Sequence, residues 1–138
     1  MFAEFELIVH RRMEQGEALS PDSLCRIYED LLRQYFGPGV VIDAFMRSEW
    51  ARIPHFYSSY YVYKYATGLS CAVAIGKHIL NEGEAAVEPY LTFLGAGGSD
   101  YPLETLRRAG IDLATPAPIA DAMAEFAATL AEFEQLVG

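Results

Sequence analysis

The sequence predicts an all-α domain of five to seven helices. Three observations carry that reading. Every long periodic segment repeats its apolar residues at intervals of three and four, as a helix with one buried face requires. No segment shows the sustained alternation of a half-buried strand. The periodic segments are also bounded by helix start and stop chemistry, such as Ser20-Pro21-Asp22 and Gly37-Pro38-Gly39.

The first helix is expected over 2–14, with Phe2, Phe5, Val9 and Met13 at helical spacing and Ile8 beside them. It begins almost at residue 1 with no cap, which reads as a cut edge, either a fragment or a misassigned start. Ser20 caps the second helix, Pro21 occupies the first helical position, and Asp22 places negative charge in the first turn. That helix runs to Phe36 and is expected to bury Leu24, Ile27, Tyr28, Leu31, Leu32 and Tyr35. Residues 40–54 read as irregular or short helical structure. Pro54 then fixes a turn or helix start beside His55, and one long helix is expected from Tyr57 to Leu80. Its second half, ATGLSCAVAIG, is rich in small residues and suggests a tightly packed helix layer that would explain Gly68 and Gly76. Further helices are expected from Glu84 to Leu94, from Tyr101-Pro102 to Gly110, and over 119–136, where Ile119, Met123, Phe126, Leu130 and Phe133 form the apolar face. The whole, 1–138, reads as one helical domain.

Composition excludes several functions. A chain that is 52% hydrophobic and 21% charged is not disordered. Its net charge of −9, with basic residues paired only at Arg11–Arg12 and Arg107–Arg108, argues against nucleic acid as a partner. The longest apolar run, about 68–76, is too short to span a bilayer, so no membrane partner is expected. Cys25 and Cys71 sit in apolar helical patterns and read as buried, reduced thiols of a cytoplasmic protein.

The chemistry concentrates in EWARIPHFYSSYYVYKYATG, 49–68, where His55 precedes Tyr57, Tyr60, Tyr61, Tyr63 and Tyr65. A plain core favours Leu and Phe, so this many phenols beside an imidazole suggests the wall of a polar cavity. A neutral tyrosine hydroxyl donates a strong hydrogen bond and can stabilise a developing oxyanion, and a histidine can hold a substrate carbonyl. The other reading is an aromatic packing stripe whose hydroxyls reach the surface. Catalytic motifs are absent: there is no HExxH, CxxC or GxSxG, and no two of His10, His55 and His78 stand four apart. The loop GAGGSDYP, 95–102, lacks the phosphate-binding GxxxxGK[ST] pattern and reads as a helix connector or a loop that admits a bound chain.

The stretch RIPHFYSSYYVYKYATGLSCAVAI, 52–75, resembles the C-terminal catalytic region of the oligoendopeptidase F family, the M3-type zinc metallopeptidases related to thimet oligopeptidase. MFAEFE at 1–6, the SPDSL entry to the second helix, and FLGAGGSDYPLETLRRAGIDLATPAPI at 93–119 fit as well, so the resemblance covers essentially the whole chain. It implies a helical, zincin-like peptidase acting on short peptides. In that family an HExxH helix and a later glutamate bind zinc, upstream of the region matched here. The resemblance therefore implies no metal ligand and no cofactor in this chain, with zinc in the complete enzyme. By the same resemblance His55 faces bound peptide, and Tyr60 and Tyr63 are the best matches for the substrate and oxyanion tyrosines, with Tyr57 and Tyr65 as rivals. The loop containing Gly97 and Gly98 lines the substrate channel. The chain alone is expected to be inactive. Its implied partners are the missing upstream part of the domain or a second copy bound through exposed apolar surface. The alternative is a free-standing, non-catalytic helical domain that binds a peptide or protein through the same aromatic groove.

Overall fold

A computed structural model describes all residues, 1–138. It is all-α: α1 (Phe2–Glu14), α2 (Pro21–Phe36), two short 3-10 helices (Met46–Arg52 and Pro54–Tyr57), α3 (Tyr63–Glu82), α4 (Glu84–Ala96), α5 (Pro102–Arg108) and α6 (Ala117–Val137). The chain divides into two compact units, Met1–Ala66 and Thr67–Gly138, with the boundary inside α3.

The first unit is built on α2. The Ser20 hydroxyl accepts from the Ser23 N–H at 3.2 Å, and the Ser23 hydroxyl accepts from the Ser20 N–H at 2.9 Å. This reciprocal cap is worth about 1 kcal/mol. The helix buries Ile27, Tyr28, Leu31 and Leu32 with Phe5 of α1. Tyr35 departs from the expected buried face: it is exposed, and its hydroxyl donates to Glu4 at 2.8 Å. Within residues 40–54, Glu49 and Trp50 are tied to α2. The Trp50 indole N–H donates to Cys25 Sγ at 3.5 Å, and Tyr28 donates to Glu49 Oε2 at 3.2 Å.

Burial first, then the Glu49 carboxylate, raises the Tyr28 phenol far above its ordinary value of 10.0. The unfolded chain would ionise Tyr28 near pH 10 while the folded chain still holds the proton. The protonated phenol therefore contributes stability that is whole below pH ~10 and is lost as pH rises beyond it. Denaturant titrations at pH 8–11 should show this alkaline loss, and Tyr28→Phe should flatten it. An unchanged profile in the variant would assign the loss to other groups.

In the second unit Cys71 and Ala74 of α3 pack with Ile111, bordered by Ile75, Leu106 and Leu113. Burial raises the Cys71 thiol, and both cysteines are free and buried. Lys77 Nζ meets Asp121 at 3.0 Å. Asp112 accepts the Ala114 N–H at 2.9 Å and pairs with Arg107 at 3.2 Å, and these contacts hold its carboxyl below the ordinary range. Two expectations fail here. A Cβ on Gly68 or Gly76 would meet nothing within 4 Å, so neither glycine marks a close helix approach. On α6 the buried residues are Pro118 and Ala122, while Ile119, Met123, Phe126, Leu130 and Phe133 are exposed. Periodicity found the stripe but could not say whether anything covers it. No helix is long and apolar enough to cross a membrane.

Candidate functional site

The long helix expected from Tyr57 is broken. The 3-10 helix that begins at Pro54 ends at Tyr57, residues 58–62 form a turn, and α3 starts at Tyr63. Two physical features explain the break. Tyr60 adopts a left-handed backbone with φ 47°, which costs a residue with a side chain about 1–3 kcal/mol. The carboxylate of Glu6, from α1, also takes the backbone N–H groups of residues 61–63, which a continuous helix would bond to carbonyls of its own preceding turn. Glu6 Oε1 accepts from the N–H of Tyr61 and, at 3.0 Å, of Val62. Its Oε2 accepts from Val62 at 3.1 Å and from Tyr63 at 3.4 Å.

The turn sorts the tyrosines. The Tyr60 ring lies over His10 at 4.2 Å, and its hydroxyl donates to Glu14 at 2.9 Å; that bond, with some burial, raises the phenol. His10 in turn donates from Nδ1 to the Glu6 carbonyl at 2.7 Å. Tyr61 points the other way and stacks on His55, with ring centroids 5.4 Å apart and planes 20° apart. Tyr65 meets His55 edge-on, and its hydroxyl lies 3.0 Å from Nε2. The Tyr61 hydroxyl, then burial, raises the Tyr65 phenol above its ordinary value. Lys64 Nζ stands 4.9 Å from the Tyr61 ring centre.

The structure therefore brings His55 together with Tyr65 and with Tyr61, which belongs to the aromatic stretch but not to the residues expected at the site. The signal was available in the i,i+4 spacing of Tyr61 and Tyr65. It was hidden by the assumption of one continuous helix, in which Tyr57 pairs with Tyr61 equally well. Tyr60 belongs to a different cluster, on α1. Tyr57 is exposed and donates to the Ala51 carbonyl at 2.7 Å. Tyr63 is exposed in the first turn of α3. In the second unit Gly97, at φ 52°, terminates α4, and Gly98 follows it. Asp100 pairs with Arg108 and accepts from the Tyr101 N–H at 2.8 Å.

The sequence profile of peptidase family M3 matches residues 1–125. The chain belongs to peptidase family M3. It is 50% identical over 137 residues to oligopeptidase PepF of Bacillus subtilis, covering 99% of this chain and 20% of that protein. An oligoendopeptidase F homolog of Borreliella burgdorferi is 43% identical, again over 99% of this chain and 23% of that protein. Among solved structures, oligoendopeptidase-F from Enterococcus faecium superposes with a TM-score of 0.90 at 44% identity, covering 99% of this chain and 26% of that one. The M3 chain thus spans about a fifth to a quarter of the relatives it matches.

The donor set of this M3 chain does not fit a zinc site. No three His, Cys, Asp or Glu side chains gather to hold a metal ion. His10 and His55 are engaged as described, and His78 faces Glu82 at 3.5 Å.

Proposed function

We propose that this chain is the C-terminal section of the catalytic domain of an oligoendopeptidase F-like zinc metalloendopeptidase that hydrolyses short peptides. In this reading it supplies contacts to substrate and oxyanion, and the zinc ligands stand upstream on the missing part of the domain. One observation carries the proposal: an accessible imidazole held between Tyr61 and Tyr65 in an M3 chain half-identical to PepF. The neutral Tyr65 phenol presents His55 as a fixed ring. His55 positions the peptide carbonyl through a hydrogen bond, and neutral phenols donate to the oxygen that gains charge. Tyr60 and Tyr63 are the oxyanion candidates. Tyr60 must exchange its Glu14 partner to reach a substrate, and its strained backbone lowers the cost of that movement. The Gly97–Gly98 loop lines the peptide channel. The exposed apolar stripe of α6 fits a surface that meets further polypeptide, from the same domain or a second copy. Buried reduced cysteines suit a cytoplasmic location.

The test exchanges residues 1–138 for the matched stretch of B. subtilis PepF. The chimera should cleave short peptides within about tenfold of the parent, a barrier change of about 1.4 kcal/mol. The isolated chain should cleave none. A folded, zinc-loaded but inactive chimera would overturn the proposal and favour a free-standing peptide-binding domain. So would stoichiometric zinc and peptide turnover by the isolated chain.

A further inference from the structure

Glu6 is a carboxylate buried to 2% exposure, a placement a charged side chain adopts only when its oxygens are satisfied. Its partners are the consecutive backbone N–H groups of Tyr61, Val62 and Tyr63, more than fifty residues away in sequence. Those of Val62 and Tyr63 are donors that the start of α3 leaves without intrahelical partners, that of Tyr61 directly precedes them, and all lie at the positive end of the α3 dipole. A carboxylate suits them because it only accepts, with two oxygens to share among three donors. A local Ser or Asp cap would secure only the end of α3. A cap reaching over from α1 ties the whole turn to the helix that carries Phe5 of the core.

We infer that Glu6 is a positioning residue for the His55 cluster. Its neighbour Phe5 packs edge-on against Phe56, the residue after His55, at 4.9 Å. Its carboxylate holds the backbone of Tyr61, whose ring stacks on His55. One turn of α1 thereby sets both the imidazole and the phenol that faces it. The direction in which the turn splits, Tyr60 toward His10 and Glu14 and Tyr61 toward His55, follows from the same anchor. The catalytic consequence, though not the geometric one, rests on the function proposed above.

Glu6→Gln tests this at constant volume. One carboxylate oxygen becomes an NH2 group that opposes the N–H donors it replaced. Two readouts are needed. In the isolated chain, NMR should show displaced Tyr61–Tyr63 amides and a changed ring-current shift of the His55 protons. In the PepF chimera, kcat should fall about tenfold to a hundredfold while KM moves less than about threefold, as expected for a reacting group displaced by about 1 Å. Ile27→Val serves as control: it loosens the same core without touching the turn and should leave the His55 signals and kcat in place. If Glu6→Gln lowers only the melting temperature and spares the His55 shift, the positioning role is overturned. If the His55 signals move and kcat holds, the positioning role stands and the substrate-facing reading of the cluster fails. If Glu6→Gln does not fold, Glu6→Asp decides, since it keeps the charge and shortens the reach by one methylene. It should give a smaller displacement of the same His55 signals, and no displacement would overturn the inference.

Discussion

Phe5→Ala is expected to destabilise the first unit by about 3–5 kcal/mol, the range for truncating a buried phenylalanine. Phe5 is 2% exposed and touches three aromatic rings: Tyr28 edge-on at 5.2 Å, Phe56 at 4.9 Å and Trp50 at 6.4 Å. Those rings come from α2 and from both 3-10 helices, which carry few backbone hydrogen bonds of their own. Removing the shared ring leaves a cavity that none of the three can close without leaving another partner. A domain typically holds about 5–15 kcal/mol in total, so the loss would consume much of the margin. Urea unfolding should show the midpoint fall with little change in slope. A loss under about 1 kcal/mol would mean that the 46–57 segment repacks freely, contrary to the ring geometry.

The second large effect concerns activity. In the chimera with PepF, His55→Ala is expected to lower kcat about a hundredfold to a thousandfold, the scale seen when a single transition-state donor is removed. Zinc content and melting temperature should barely change, because His55 is half-exposed and outside the buried core. Tyr65→Phe should lose less, since it deletes the hydroxyl 3.0 Å from Nε2 and leaves the Tyr61 stack in place. A His55→Ala chimera with parental kcat would remove the imidazole from the chemistry and return the aromatic stretch to a packing role.

The helices were legible because each is a local decision. Helical spacing, the Ser20–Ser23 cap with Pro21, and the glycines that follow Phe36 and Arg108 act within a few residues, so helices near 2–14 and 21–36 are legible. The break at 58–62 was not legible, because nothing local dictates it. Lys64, Tyr65 and the residues after them are compatible with a helix reaching back to Tyr57. The left-handed backbone at Tyr60 and a carboxylate 55 positions before Tyr61, delivered by α1, start it at Tyr63 instead. The same limit explains the exposed stripe on α6 and the open space around Gly68 and Gly76. A sequence pattern records which face is apolar or small, not what lies opposite.

The helical class, the caps, the aromatic concentration around His55 and the kinship with M3 peptidases reside in residue identity and short-range spacing, and so are written in the chain. Which phenol meets the imidazole is settled only by folding. That choice depends on the direction of one turn, and the direction is set by a long-range hydrogen-bonded anchor whose partners are distant in the chain and adjacent only after folding.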